Sequence, residues 1–286
     1  MSGLLAALFG LSGAIVYGAA DFFGGLASRR LGALRSAGLA AVSGLVVLLL
    51  AVPLFGAAWS PEALLYGALS GVAGALGLSL LYGCLAIGPM SVLSPITALV
   101  SAVVPLTWGL LRGERVGPLG TVGLVLALLA VVLVAFVPER TAVRATPRGI
   151  LMALGAGTMI GLFLVLIDAA PDESGLAPLL ANRLVNATIM FTAVAVVALA
   201  GRAPRIVDAR RGLWLALACG ALDGTANALL LAGVRTGDLT IMSVLTALYP
   251  AGTIALAALV LRERITLVQG SGLALAGVAA VLLAVG

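Results

Sequence analysis

Ten apolar runs, each about as long as a helix needs to cross a bilayer, divide this chain almost without remainder. They fall at 3–27, 35–57, 63–86, 89–111, 116–137, 149–169, 175–200, 212–234, 238–261 and 265–285. None alternates apolar and polar residues as a barrel strand does, and an open strand cannot satisfy its backbone in lipid. The runs therefore predict spanning α-helices. Composition agrees: 9% of the residues are charged, where a soluble domain has about 25%. The 286 residues leave short loops between ten helices and no room for a further soluble domain. The first run lacks a positively charged leader, so it is expected to stay as the first span.

The polar inventory excludes several chemistries. There is no histidine, and all 16 cations are arginine. Histidine-based zinc sites, Ser-His-Asp triads and Cys-His pairs are thereby ruled out. A phosphate-binding loop has no lysine to use, and Gly155-Ala156-Gly157-Thr158 lies within an apolar run, so direct coupling to ATP is not expected. Cys84 and Cys219 sit in apolar runs and read as small buried hydrophobes. The net charge of +5 does not point to nucleic acid, because the arginines lie in the breaks between runs, where loops meet lipid headgroups. No metal or cofactor is expected.

The chain repeats itself. A shift of 149 residues lays 85–135 on 234–284 without a gap, with 17 identities in 51 positions. The polar matches tell more than the abundant Ala and Leu: Ser94 on Ser243, Thr97 on Thr246, and Glu114-Arg115 on Glu263-Arg264. Residues 138–147 are the most polar stretch. They are read as a linker between a first five-helix repeat, 1–137, and a second, 148–286. Five crossings leave the chain on the opposite side, so the second repeat must be inverted. The expected fold class is an all-α membrane protein of ten transmembrane helices in two inverted five-helix repeats. Loops after odd-numbered helices carry twelve arginines and the others three, which by the positive-inside rule puts both termini outside.

The loop sequences Leu110-Leu111-Arg112-Gly113-Glu114-Arg115 and Val260-Leu261-Arg262-Glu263-Arg264 each follow a proline-containing helix and precede a glycine-rich one. This resembles the EamA type of the drug/metabolite transporter superfamily, over essentially the whole chain. The resemblance implies ten helices in two repeats and a multi-pass carrier of the plasma membrane, often an exporter of amino acids, related metabolites or drugs. It also implies termini inside, against the arginine count. The expected partners are a small-molecule substrate, the bilayer and protons, in a monomer or homodimer. A lipid flippase or a membrane subunit of a larger complex shares the fold and is the alternative. An enzyme acting on lipid is disfavoured by the sparse polar groups.

Ionisable groups within spans are costly and each needs a reason. Asp21, in Tyr17-Gly18-Ala19-Ala20-Asp21, has two readings: a substrate or proton site in a cavity, or an interfacial residue beyond an early end of helix 1. Asp223 lies mid-run, one helical turn before Asn227 on the same face, and suits either a site or an ion pair with Arg183. Arg183, flanked by Asn182 and Asn186, suits a substrate carboxylate or that same pair. Pro95, Pro105 and Pro250 remove backbone donors within spans. Thr97 and Thr246 beside them, with Tyr82, Trp108 and Tyr249, are expected to form a polar-aromatic cavity near the midplane, with plain packing as the alternative for each aromatic. Asp168, Asp172 and Glu173 are read as solvated loop charges, and Glu114 and Glu263 as helix caps or local ion-pair partners.

Overall fold

A computed structural model of the protein describes residues 2–87, 90–135, 146–202, 206–260 and 265–285. Its elements are α1 (Ser2–Leu31), α2 (Ala33–Phe55), α3 (Pro61–Ile87), α4 (Met90–Leu111), α5 (Pro118–Ala135), α6 (Pro147–Asp168), α7 (Ala177–Leu199), α8 (Ala209–Thr236), α9 (Leu239–Thr246), α10 (Tyr249–Val260) and α11 (Leu267–Val285). A single 3-10 turn, Asp172–Ser174, precedes α7. Among the described residues there is no β-strand. Seven segments are long and apolar enough to cross a membrane: parts of α1 and α3, all of α2, α6, α7 and α8, and α9 with α10 together. Shorter apolar stretches occupy α4, α5 and α11.

The outward faces are those of a protein whose solvent is hydrocarbon. Leu50, Leu54, Leu111, Leu199 and Leu267 are almost fully exposed, an arrangement water would penalise. Outward-facing hydroxyls do not stay bare. Thr107, Thr158, Thr188 and Thr225 each donate to the carbonyl one turn back, Val103, Leu154, Leu184 and Ala221. That satisfies the hydroxyl where no water is available.

Inside, helices approach through small residues. α1 packs on α8 and α10, α2 on α7 and α8, α3 on α6 and α7, α4 on α6 and α9, and α5 on α11. At Gly220 of α8, a Cβ would lie 2.1 Å from the Ala40 carbonyl oxygen of α2, so only glycine permits this crossing. One core joins α4, α5, α9 and α11 around Ala98, Ala130, Leu245 and Leu283. A second sits under the α2 and α7 ends around Leu48, Ile167 and Leu179.

Three boundaries differ from the expectations. α1 continues to Leu31, which removes the early-end reading of Asp21. α6 begins at Pro147, inside the expected linker, because the Thr146 hydroxyl accepts from Gly149 N–H as an N-cap and Pro147 suits the first turn; linker residues 136–145 lie outside the described ones. The run 238–261 is not one helix. It breaks at Ala247–Leu248, where Leu248 N–H turns to Leu245 O and Ala251 N–H to Leu248 O. Pro250 has no N–H to offer the Thr246 carbonyl, so the ladder cannot run through. α4, by contrast, stays helical through Pro105.

Candidate functional site

A cavity of about 190 Å³ lies between α1, α3, α6, α7, α8 and the α9–α10 break. Helical spacing selects who faces it. Tyr17 and Asp21 are one turn apart on α1, as are Asp223 and Asn227 on α8 and Asn182 and Asn186 on α7, and all six line it with Arg183. Thr246 and Tyr249 arrive from either side of the helix break. The remaining wall is aliphatic and aromatic: Leu78 and Leu81 of α3, and Ile160, Phe163 and Leu164 of α6. Gly74 of α3 faces Asn186, whose side-chain nitrogen would be in ordinary contact, 3.5 Å, with a Cβ there.

Charge in the cavity is organised around one ion pair. Arg183 Nη2 lies 2.5 Å from Asp223 Oδ2, with Arg183 itself buried. Asn182 Nδ2 donates to Ser70 Oγ at 2.9 Å, and Ser70 donates to Gly67 O at 2.7 Å, which fixes the carboxamide beside the guanidinium. Asn227 Nδ2 donates to Asp223 O. Four buried side-chain atoms find no partner among the described residues; one, Ser36 Oγ, lies outside this cavity, and three belong to it: Arg183 Nε, Asn227 Oδ1 and Thr246 Oγ1. Buried polar atoms without partners are uncommon, and here three of the four gather in one cavity. Asp21 is exposed, and it too lines this space. Donors, acceptors and a carboxylate thus converge on a space with apolar walls. That arrangement suits a small polar solute. Among the described residues no three Cys, Asp or Glu side chains gather as metal ligands.

Residues 147–285 match the EamA-like transporter family. That match covers 139 of the 286 residues, and over them the chain is similar to the EamA-like transporter family. No curated protein matches it. A solved crystal structure, described only as that of a protein, is 17% identical with a TM-score of 0.77, over 97% of this chain and 95% of its own. At that identity the likeness speaks for the fold alone.

Tyr17, Asp21, Asn182, Arg183, Asn186, Asp223, Asn227, Thr246 and Tyr249 come together around this one cavity. Arg183 and Asp223 pair with each other, and both face the cavity. Thr97 and Trp108 do not join. Thr97 is buried against α6, donating to Ala153 O as well as Leu93 O, because α4 packs there on Gly157, whose Cβ would meet the Thr97 carbonyl. Trp108 points outward. Pro105 is buried against Gly161 instead of lining the cavity. The side chains of Tyr82 and Pro95 lie outside the described residues, as do Glu263 and Arg264 entirely. The aliphatic wall from α3 and α6 was not foreseen; its leucines and isoleucine resemble every other apolar residue of the chain.

Glu114 proves to be a helix cap, but not a local one. From the turn after α4 it accepts Leu239 N–H at 3.0 Å and Thr240 N–H at 2.8 Å, so its carboxylate holds the start of α9. Gly109 makes room for it, since a Cβ there would overlap both Glu114 and Thr240. Burial, and secondarily the Glu114 charge, push the neighbouring Asp238 carboxyl above the usual range. At the same end of the helices Arg112 meets Asp168 at 3.5 Å. Asp168 is thus partly buried and paired, unlike the solvated charge expected, while Asp172 and Glu173 are exposed.

Proposed function

We propose that this protein is a secondary carrier that moves a small zwitterionic or anionic metabolite, of amino-acid-like character, out across the plasma membrane by alternating access. The observation that carries the reading is the Arg183–Asp223 pair set among unpartnered buried polar atoms in a cavity. Its volume is more than ten times the ~15 Å³ that one water needs. A substrate carboxylate would compete with Asp223 for the Arg183 fork, since a guanidinium takes carboxylates bidentately. Asp223, released, and Asp21 would then face the substrate's ammonium group or a proton. Coupling to protons would run through these two acids.

The same reading takes α9 and α10 as one broken span, giving ten spans in two inverted repeats. Reciprocal packing supports it. α1 on α8 is mirrored by α6 on α3, α2 on α8 by α7 on α3, and α1 on α10 by α6 on α4, while α2 on α7 and α5 on α11 map onto themselves. Two such halves can exchange conformations around a fixed central site. In proteoliposomes, uptake of a substrate amino acid should respond to an imposed pH gradient and be lost in Asp223→Asn. Equal rates with and without the gradient would remove the coupling, and unaltered transport by Asp223→Asn would remove the site.

A further inference from the structure

The lining of the transport cavity divides by helix. Its polar side chains come from α1, α7, α8 and the α9–α10 break, and its apolar ones from α3 and α6. On α3, Leu78 and Leu81 lie one and two turns beyond Gly74 on a single face; on α6, Ile160, Phe163 and Leu164 share a face in the same way. On the carrier reading above, we propose that this apolar corner receives the side chain of the substrate, and that the substrate is an amino acid with a short aliphatic side chain, of valine or leucine size.

The two helices make a corner because they cross closely. A Cβ at Gly77 would lie 2.8 Å from Ile160 Cγ1 and 3.2 Å from Ile160 N, so α3 and α6 meet at that level through a small residue. The corner also has a floor: Leu164 is buried with Leu230 of α8 and Met242 of α9, and Tyr17 and Phe163 pack on them. Hydroxyls close by in the chain are already engaged, Ser79 donating to Ala75 O and Thr158 to Leu154 O. Among the described residues the corner carries no polar side chain. A charged or amide side chain placed there would lose its water and gain no partner, whereas an aliphatic one gains by leaving water. The corner is also within reach of a carboxylate on Arg183, since α3 packs on α7 and Asn182, beside Arg183, donates to Ser70 of α3.

Volume sets the length of the side chain. An apolar protein cavity of ~150 Å³ takes up benzene, with its six heavy atoms. At about 190 Å³ the same packing holds about eight. The carboxylate, ammonium and α-carbon of an amino acid use five, leaving about three for the side chain. Valine meets that number and leucine exceeds it by one; phenylalanine is far over. A ring that overran the corner toward the exposed end of the cavity would meet the Asp21 carboxylate there instead of apolar surface.

Counterflow in proteoliposomes tests this: vesicles loaded with valine take up labelled valine while a graded series of unlabelled amino acids competes from outside. Each CH₂ buried in the corner should strengthen competition about fourfold. Valine should therefore compete at least about tenfold better than glycine, and phenylalanine and lysine at least about tenfold worse than valine. Ile160→Ala enlarges the corner and should improve phenylalanine relative to valine about tenfold; Leu78→Ala does the same from α3 if the first variant fails to fold. Leu151→Ala, on the lipid side of α6, should leave the order unchanged. Glycine, phenylalanine or lysine competing as well as valine overturns the proposal, and that comparison needs no variant. So does an enlarged variant that exchanges valine and treats phenylalanine as the parent does. In those outcomes amino acids are still carried and the carrier reading stands; exchange of no amino acid would overturn both.

Discussion

Replacing Asp223 with asparagine strips the charge from one side of the central pair while keeping its shape. Arg183 would stay where it is, with its side chain 10% exposed, opposite a neutral amide; Asp223 is 26% exposed. Breaking a fully buried pair from one side costs about 3–5 kcal/mol, and breaking a surface pair about 0–1 kcal/mol. The cavity exposes Asp223 but hardly Arg183, which places the cost near 2 kcal/mol. For a chain of this size that is a fall in Tm of roughly 4–8 °C, read by thermal unfolding in one fixed detergent. Arg183→Met should cost a similar amount through the stranded aspartate. The double variant Arg183→Met with Asp223→Leu removes both charges and should recover most of the loss, because matched apolar replacements of buried pairs are close to neutral. Its transport should remain absent. Additive losses in the double variant would refute the reasoning, as would an Asp223→Asn protein that melts within 1 °C (about the error of such a scan) of the parent.

The remaining expectations concern packing and the far end of the bundle. Gly220→Ala should be severely destabilising, since its Cβ would overlap the Ala40 carbonyl, whereas Gly25→Ala meets nothing within 4 Å and should be neutral or stabilising by about 0.5–1 kcal/mol; melting temperatures of the two variants check this. Glu114→Ala strands two N–H groups at the start of α9 and should cost about 1–2 kcal/mol, seen also as faster amide exchange at Leu239 and Thr240. Asp238→Asn tests the raised carboxyl pKa. A folded-state pKa above the unfolded one means the native chain is penalised as pH rises through the carboxylate range. The variant should therefore melt above the parent at pH 7, and the gap should close on acidification below about pH 4.

How much of this was legible beforehand follows physical range. The helices and their lipid-facing character rest on run length and hydrophobicity, which are local. Intramembrane charge is likewise local, because burying it demands a reason wherever it occurs; hence Asp21, Arg183 and Asp223 stood out, and the i, i+4 spacing of Asn182 with Asn186 and of Asp223 with Asn227 already put each pair on one face. Thr97 misled because its match with Thr246 is one of sequence, while a side chain's surroundings depend on which helix packs against it. Pro250 opens the chain beside Thr246; the repeat places Ser101 at the equivalent position, and α4 there runs on unbroken against α6.

The amino-acid sequence by itself determined that this chain is a bundle of apolar helices in lipid, with nearly all its arginines at the helix ends and a few ionisable groups inside. Tertiary structure alone decided that Glu114 caps a helix 125 residues away, that α3 and α6 supply the cavity's apolar wall, and that Arg183 meets Asp223. The division has a physical cause. Hydrophobic burial in a bilayer is set residue by residue against the solvent, but in a chain that is apolar on nearly every face it does not say which face meets which. That choice falls to the close approach of small residues and to the few polar groups that must find one another.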